Sequence, residues 1–164
     1  MFKSMNFFFL ILIATGIHLT VFAQDESTKI KKLSKDSDVI LTGKVIAKKS
    51  IWNESKTRIY TRTTVQVDEY LKGNNSEGSV EIRYPGGEVG EVGELYTHMP
   101  RFEDDEEVLV FLKQDDQSEA FKVLYGEEGK IKVIRDEKSN EKVTSSKVRL
   151  ENLKSQIKSY VTER

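Results

Sequence analysis

Residues 59–71 read IYTRTTVQVDEYL. Ile59, Thr61, Thr63, Val65, Val67 and Leu71 fall at even spacing, opposite Tyr60, Arg62, Thr64, Gln66 and Asp68. Successive side chains in a strand point to opposite faces, and β-branched and aromatic residues suit the pleated surface. The segment is therefore a half-buried strand, with its apolar and hydroxyl face toward a core. Lys72-Gly73-Asn74-Asn75 stops it.

The same reading extends both ways. Upstream, VILTGKVIAKK (39–49) puts Val39, Leu41, Gly43, Val45 and Ala47 on one face and Ile40 and Ile46 on the other. Its central glycine allows a bend or the close approach of another chain. Ser50 to Arg58 reads as a polar turn carrying Trp52. Downstream, Ser79 to Tyr84 is a third strand, ended by Pro85 and two glycines. Glu107 to Lys113 (EVLVFLK) is apolar on both faces, as a strand buried on both sides would be. Phe121–Tyr125 and Ile131–Arg135 read as a hairpin around Gly126-Glu127-Glu128-Gly129. Leu150, Leu153, Ile157 and Tyr160 or Val161 recur at helical spacing, which predicts a helix over 145–162 with Ser145 or Ser146 as its cap. Residues 24–35 read as a short helix or a frayed terminus. About six strands with hairpin-length connections and no strand–helix–strand alternation predict a mainly β fold: a small antiparallel OB-like barrel with a C-terminal helix.

The chain opens MFKSMNFFFLILIATGIHLTVFAQ. A lysine precedes an apolar run that ends in Val21-Phe22-Ala23, the pattern of a secretory signal peptide cut between Ala23 and Gln24. The run is short for a membrane span and is interrupted by Thr15, Gly16, His18 and Thr20. The reading is thus residues 1–23 as leader and 24–164 as one domain, secreted or periplasmic, with no membrane span after cleavage. The chain has no cysteine, so no disulfide scaffold supports it. Its formal net charge is −1 with 32% charged residues, which argues against a nucleic-acid partner, since that needs a basic stripe.

The stretch YPGGEVGEVGELYTHMPRF (84–102) holds four glycines and the one histidine outside the leader, His98. The glycines do not make G-x-G-x-x-G, no lysine follows, and Glu88, Glu91 and Glu94 would repel phosphate. A lone histidine specifies no zinc site, and no G-x-S-x-G elbow is present. Glu103 to Glu107, or the three glutamates of the loop, could offer oxygens to calcium, but the ordered D-x-D-x-D-G loop is missing and an acidic run usually reads as a solvated turn. No cofactor, metal or catalytic residue is expected. His98 reads as a loop residue half-packed at the barrel mouth. Trp52, Tyr60, Tyr70, Tyr84 and Tyr96 are candidates for an aromatic binding face.

Taken together, DVILTGKV (38–45), TRTTVQVDEYLKG (61–73), PGGEVGEVG (85–93) and MPRF…EEVLVFL (99–112) resemble an uncharacterised domain of bacterial secreted proteins. Its pattern runs P-G-G-x-x-G-x-x-G, then P-x-F-x-x-G-E-x-V-L-x-F-L. The resemblance covers about residues 38–135. Asp105 stands where the pattern has glycine, a place aspartate can fill at positive φ. More distantly, the chain is similar to the netrin-like module of the tissue inhibitors of metalloproteinases, which implies an OB-type barrel with helices near both ends. Those inhibitors act through an N-terminal cysteine, so inhibition does not carry over. The expectation is an exported, non-catalytic module, a monomer, that binds a protein or another extracellular ligand through the 85–102 loop. The candidate binding residues are Gly86, Gly87, Glu88, Gly90, Glu91, Gly93, Tyr96, His98 and Arg101. The alternatives are a carbohydrate or cell-envelope binder and a hydrolase using His98.

Overall fold

The computed structural model describes residues 26–73, 78–116 and 118–163. The expected leader, its cleavage point at Ala23 and Gln24, and the Asn74-Asn75 stop lie outside these residues. The chain divides into two compact units, residues 1–32 and 33–164. Among the described residues, helix α1 covers 26–36. Among the described residues, no helix is long and apolar enough to cross a membrane.

The second unit is mainly β. Its strands are β1 (Val39–Trp52), β2 (Ile59–Lys72), β3 (Ser79–Pro85), β4 (Gly87–Val89), β5 (Val92–Glu94), β6 (Glu107–Gln114), β7 (Phe121–Val123), β8 (Lys130–Arg135) and β9 (Lys142–Thr144), followed by helix α2 (Leu150–Thr162). The main sheet runs β1-β2-β3-β7-β6-β8-β9, and β1 also pairs with β6. That extra pairing closes β1-β2-β3-β7-β6 into a five-stranded barrel, the OB-like closure that removes open edges. Strands β8 and β9 extend the sheet beyond β6. One pairing departs from the antiparallel pattern: β3 meets β7 in parallel at Ile82 and Phe121.

The alternation read in residues 59–71 is real. Ile59, Thr61, Thr63, Val65 and Leu71 are buried, while Arg62, Gln66 and Asp68 are exposed. Val65 joins Val39, Leu41, Val45, Val80, Ile82, Phe102, Val108, Val110, Leu112 and Val123 in the barrel core. Gly43 allows β2 to approach, since a Cβ there would collide with the Gln66 carbonyl and crowd Val65. Ile40 is fully buried although it lies on the opposite face from Val39 and Leu41. In β6, Val108 to Leu112 are all at most 1% exposed, so both faces of this strand are covered.

Three boundaries differ from the expectation. Ser50 to Trp52 belong to β1, because Ser50, Ile51 and Trp52 pair with Thr61, Tyr60 and Ile59. The turn shrinks to the residues after Trp52, where Asn53 Oδ1 accepts the Thr57 and Arg58 amides at 2.8 and 3.0 Å. The expected hairpin of residues 121–135 is one interrupted strand instead. Leu112 pairs with Val123, and Val110 pairs with Lys130, so β7 and β8 lie end to end along the same edge of β6. The Leu124 amide donates to the Phe111 carbonyl at 2.9 Å before the chain leaves in a left-handed Tyr125 (φ 56) and a 3₁₀ turn, Gly126–Gly129. Helix α2 begins at Leu150 rather than at residue 145. Residues 142–144 form β9, and the Lys147 amide turns back to the Thr144 carbonyl at 2.9 Å. The two serines are consumed in that loop, and Arg149 takes the N-cap place with no side-chain cap. The predicted stripe does bury Leu150, Leu153 and Ile157. Lys154 and Lys158 grip Glu69 of β2 at 2.5 and 2.7 Å.

Candidate functional site

The Gly/Glu-rich stretch is not an open crossover. Val89 pairs with Val92, Glu88 with Gly93 and Gly87 with Glu94, making a separate two-stranded sheet. Gly90 and Glu91 form its two-residue tip, with Gly90 at φ 64, the backbone state such a tight loop demands of its first residue. The signal was present in the sequence: V-G-E-V is a pair of β-formers around a glycine-led loop of two.

The hairpin is seated on the barrel rim by its own backbone. The Thr61 hydroxyl donates to the Gly86 carbonyl at 2.7 Å and shares a 3.0 Å hydrogen bond with Ser50. The Gly86 amide donates to the Ile59 carbonyl at 2.8 Å. Gly87 (φ 125) lies directly on the Ser50 and Thr61 hydroxyls, where a Cβ would collide with both. On the returning strand, Glu94 Oε2 accepts the Ile59 amide and the Tyr96 hydroxyl, both at 3.1 Å. Arg58 donates to that hydroxyl at 3.0 Å. Glu94 is therefore a structural acceptor rather than a free carboxylate.

A second segment, Met99 to Glu103, runs across the barrel mouth as a strap. Phe102 is 2% exposed and its ring lies 5.7 Å from that of Tyr84. Lysines from two strands hold the strap by its carbonyls. Lys48 donates to the Phe102 carbonyl at 3.0 Å, and Lys130 donates to the Arg101 carbonyl. Glu106 accepts the Glu103 amide at 3.0 Å and pairs with Lys130 at 2.7 Å; both side chains are largely buried. The acidic run is a solvated turn at its start, where Glu103, Asp104 and Asp105 are exposed, and a buried anchor at Glu106. Glu103 pairs with Lys132 at 2.7 Å, Asp105 with Lys44 at 2.6 Å and Glu107 with Lys142 at 2.5 Å. The hydrogen bond from Lys132 holds the Glu103 carboxyl below the usual carboxylate range. Asp105 does adopt positive φ, 63°, as the turn reading requires. Among the described residues, no three of His, Asp and Glu converge to hold a metal ion.

Between hairpin and strap lies a groove of about 880 Å³. Lys48, Ser50, Thr61 and Tyr84 form its barrel side, and Gly93 to Tyr96 and Met99 to Glu103 line it from the two segments. Of the sequence-derived candidates, it gathers Gly86, Gly87, Glu88, Gly93, Tyr96 and Arg101. Gly90 and Glu91 stand outside it, at the hairpin tip. His98 also stands outside. It is not half-packed: its side chain is 83% exposed and lies 3.5 Å from Glu127, while its carbonyl accepts the Glu127 amide at 2.9 Å. At φ 62, His98 is fastened by its backbone, and the imidazole faces solvent.

Sequence reading missed Ser50 because it ended β1 at residue 49, and Lys48, though inside the expected strand, because its reach to the Phe102 carbonyl is long-range. It missed the strap because long-range lysine-to-carbonyl bonds leave no local pattern. The aromatic residues do not share one face. Tyr60 lies under the Arg83 guanidinium at 4.0 Å, and Tyr70 and Tyr84 pack against the core. Burial raises the Tyr84 hydroxyl pKa, so it stays neutral and offers no base. Only Tyr96 of the five, with its hydroxyl committed to Glu94, joins Tyr84 at the groove. Compared with models of protein families and with curated proteins, the chain matches none.

Proposed function

We propose that this protein is an exported, non-catalytic binding module of netrin-like kind, and that it engages a protein partner through the groove between the hairpin and the strap. The observation that supports this is the convergence of a rim hairpin, a clamped strap and a groove of about 880 Å³ on the same residues, 85–103. That volume is within the range of about 300–1,000 Å³ typical of ligand clefts. The lining mixes apolar groups (Leu95, Met99, Pro100, Phe102) with polar ones, and carries no nucleophile beside a base. The exposed imidazole of His98 has one carboxylate near it and lies away from the groove, which disfavours a hydrolase.

The test is retention of protein from envelope and culture-medium extract on the immobilised chain. A variant with residues 87–94 replaced by a short glycine link should lose what wild type retains. If that variant retains the same proteins, the groove is not the binding surface. A glycan-array signal lost in Tyr96→Ala, with no protein retained, would replace the protein partner by a carbohydrate. Hydrolase activity lost in His98→Ala would replace binding by catalysis.

A further inference from the structure

Natural sheets protect their edges with charges, proline, bulges or a covering element, because a bare edge pairs with whatever strand meets it. The barrel abolishes its edges by closure. The hairpin does not. Strand β5 has one neighbour, β4, and forms no part of the main sheet. Val92 is 48% exposed and Leu95, just past its end, is 74% exposed. Strand pairing alternates between residues that bond across the ladder and residues whose amide and carbonyl point away. Val89 and Val92 flank the two-residue loop and form the bonded pair, so the next pair, Glu88 and Gly93, turns outward. The outward amide and carbonyl of β5 thus belong to Gly93, which has no side chain to shield them. Gly93, Glu94 and Leu95 line the groove.

The charges say which strand fits. Residues 86–97 contain three glutamates and no lysine or arginine. Glu94 is occupied, as described, but Glu88 and Glu91 form no ion pair among the described residues. A second copy of the chain is a poor occupant, since β5 against β5 would bring the same glutamates together, and like charges across a strand pair are destabilising. We infer that the free edge of β5 accepts an extended peptide whose residues alternate basic and apolar, as a third strand of the hairpin sheet lying in the groove. Backbone hydrogen bonds at Gly93 supply the register, the exposed Val92, on the opposite face of the hairpin from Glu88, meets the apolar side chains, and Glu88 and Glu91 meet the basic ones. Arg101, on the strap opposite, makes no ion pair among the described residues and works against so basic an occupant. This inference rests on the protein-binding reading of the groove and names its partner's chemistry.

The probe is a capped peptide of alternating lysine and valine, titrated into the full chain and followed by calorimetry and by exchange of the Gly93 amide. Wild type should bind it and the Gly93 amide should become protected. Gly93→Pro removes one donor and should weaken binding about tenfold, the worth of one hydrogen bond. Gly93→Ala keeps the donor, meets Glu88 Cγ at 3.4 Å and the Gly87 carbonyl at 3.9 Å, and should bind more tightly than Gly93→Pro. Glu88→Lys with Glu91→Lys should lose the lysine peptide and gain its glutamate counterpart, and Arg101→Glu should strengthen the lysine peptide. Absence of binding to wild type overturns the inference, as does equal binding by Gly93→Pro. Loss of binding in the charge variants with no protection of the Gly93 amide also overturns it, by making the contact ionic rather than a strand. In each of these cases the retention experiment on the hairpin-replaced variant still decides separately whether the groove binds protein at all.

Discussion

Strand β6 and the β4–β5 hairpin are both short and built around valine, and they have opposite fates. In β6, EVLVFLKQ, the valines alternate with Leu109 and Phe111 after the opening Glu107, and both edges are paired, with β1 on one side and β7 and β8 on the other. In the hairpin, GEVGEVGE, the valines are separated by glycine and glutamate, and the second strand has one partner. The same β-forming residue is a core element in one setting and exposed surface in the other. What differs is whether the residues at i±1 can also be buried. One region holds the barrel together, and the other is free to meet something else.

The largest effect should come from opening the buried region. Phe111 is fully buried on the outward face of β6. Phe111→Ala should cost about 3–5 kcal/mol, the loss of an aromatic side chain plus the cavity it leaves. Urea unfolding reads this directly. A cost under about 1 kcal/mol would mean that the outward face of β6 is not a second core surface.

Next is the clamp that holds the strap to the barrel. Glu106→Ala leaves Lys130 largely buried without its partner and frees the Glu103 amide. Breaking a buried pair costs about 3–5 kcal/mol, and the residual exposure of Lys130 puts the expected loss at about 2–3 kcal/mol. The same variant should loosen the strap, seen as faster amide exchange at Glu103. If stability falls and that exchange is unchanged, the strap is held by Phe102 and Lys48 without the Glu106 clamp.

Smaller again is Gly87→Ala. It forces a Cβ at φ 125 onto Ser50 and Thr61, at an expected cost of about 1–3 kcal/mol. The strain should be relieved by lifting the hairpin off the rim and not by unfolding the barrel. Exchange of the Val89 and Val92 amides should rise while the protection of β6 amides persists. Equal loss in both would join the hairpin and the barrel into one cooperative unit.

These contrasts also explain what was legible in the chain. Barrel strands with a strict period, such as residues 59–71, declared themselves, because burial on one face writes itself into alternate residues. Helix α2 showed its stripe but not its start, since Thr144 and its neighbours chose a strand and a turn over capping. The reading of residues 121–135 failed for a clear reason. A glycine-flanked break between two apolar runs looks the same whether the chain reverses or only steps out and resumes, and the choice is made by β6, more than ten residues upstream. The candidate groove was located by its glycines, but its other wall depends on Lys48 and Lys130 reaching backbone carbonyls, which no spacing encodes.

A pH titration separates surface electrostatics from both regions. The hydrogen bonds from Lys154 and Lys158 hold the Glu69 carboxyl below its ordinary pKa. A carboxylate with a depressed folded pKa contributes stability above the ordinary carboxylate value, and that contribution is lost as pH falls through the lower folded value. Glu69→Gln should therefore be less stable than wild type at pH 7, by under about 1 kcal/mol for so exposed a pair. The two should converge as the pH is lowered past the ordinary carboxylate range. A difference that persists into strong acid would assign the effect to packing of α2 and not to charge.

The smallest expected effect bears most directly on the opening contrast. Valine and threonine have nearly the same shape, so Val→Thr tests burial and little else. At Val110, fully buried in the barrel core, the new hydroxyl lies where β6 offers no side-chain partner, at a cost of about 1–3 kcal/mol. At Val92 the hydroxyl meets water, and the change should stay within about 0.5 kcal/mol. If Val92→Thr costs as much as Val110→Thr, Val92 is covered in solution by something that stays on the protein through purification. Mass measurement under native conditions would then show whether a second copy or a foreign chain sits on β5, and the hairpin would count as an occupied interface. If the cost is negligible, the exposed valine contributes nothing to folding, and the edge of β5 is open in solution, as the proposed strand partner requires.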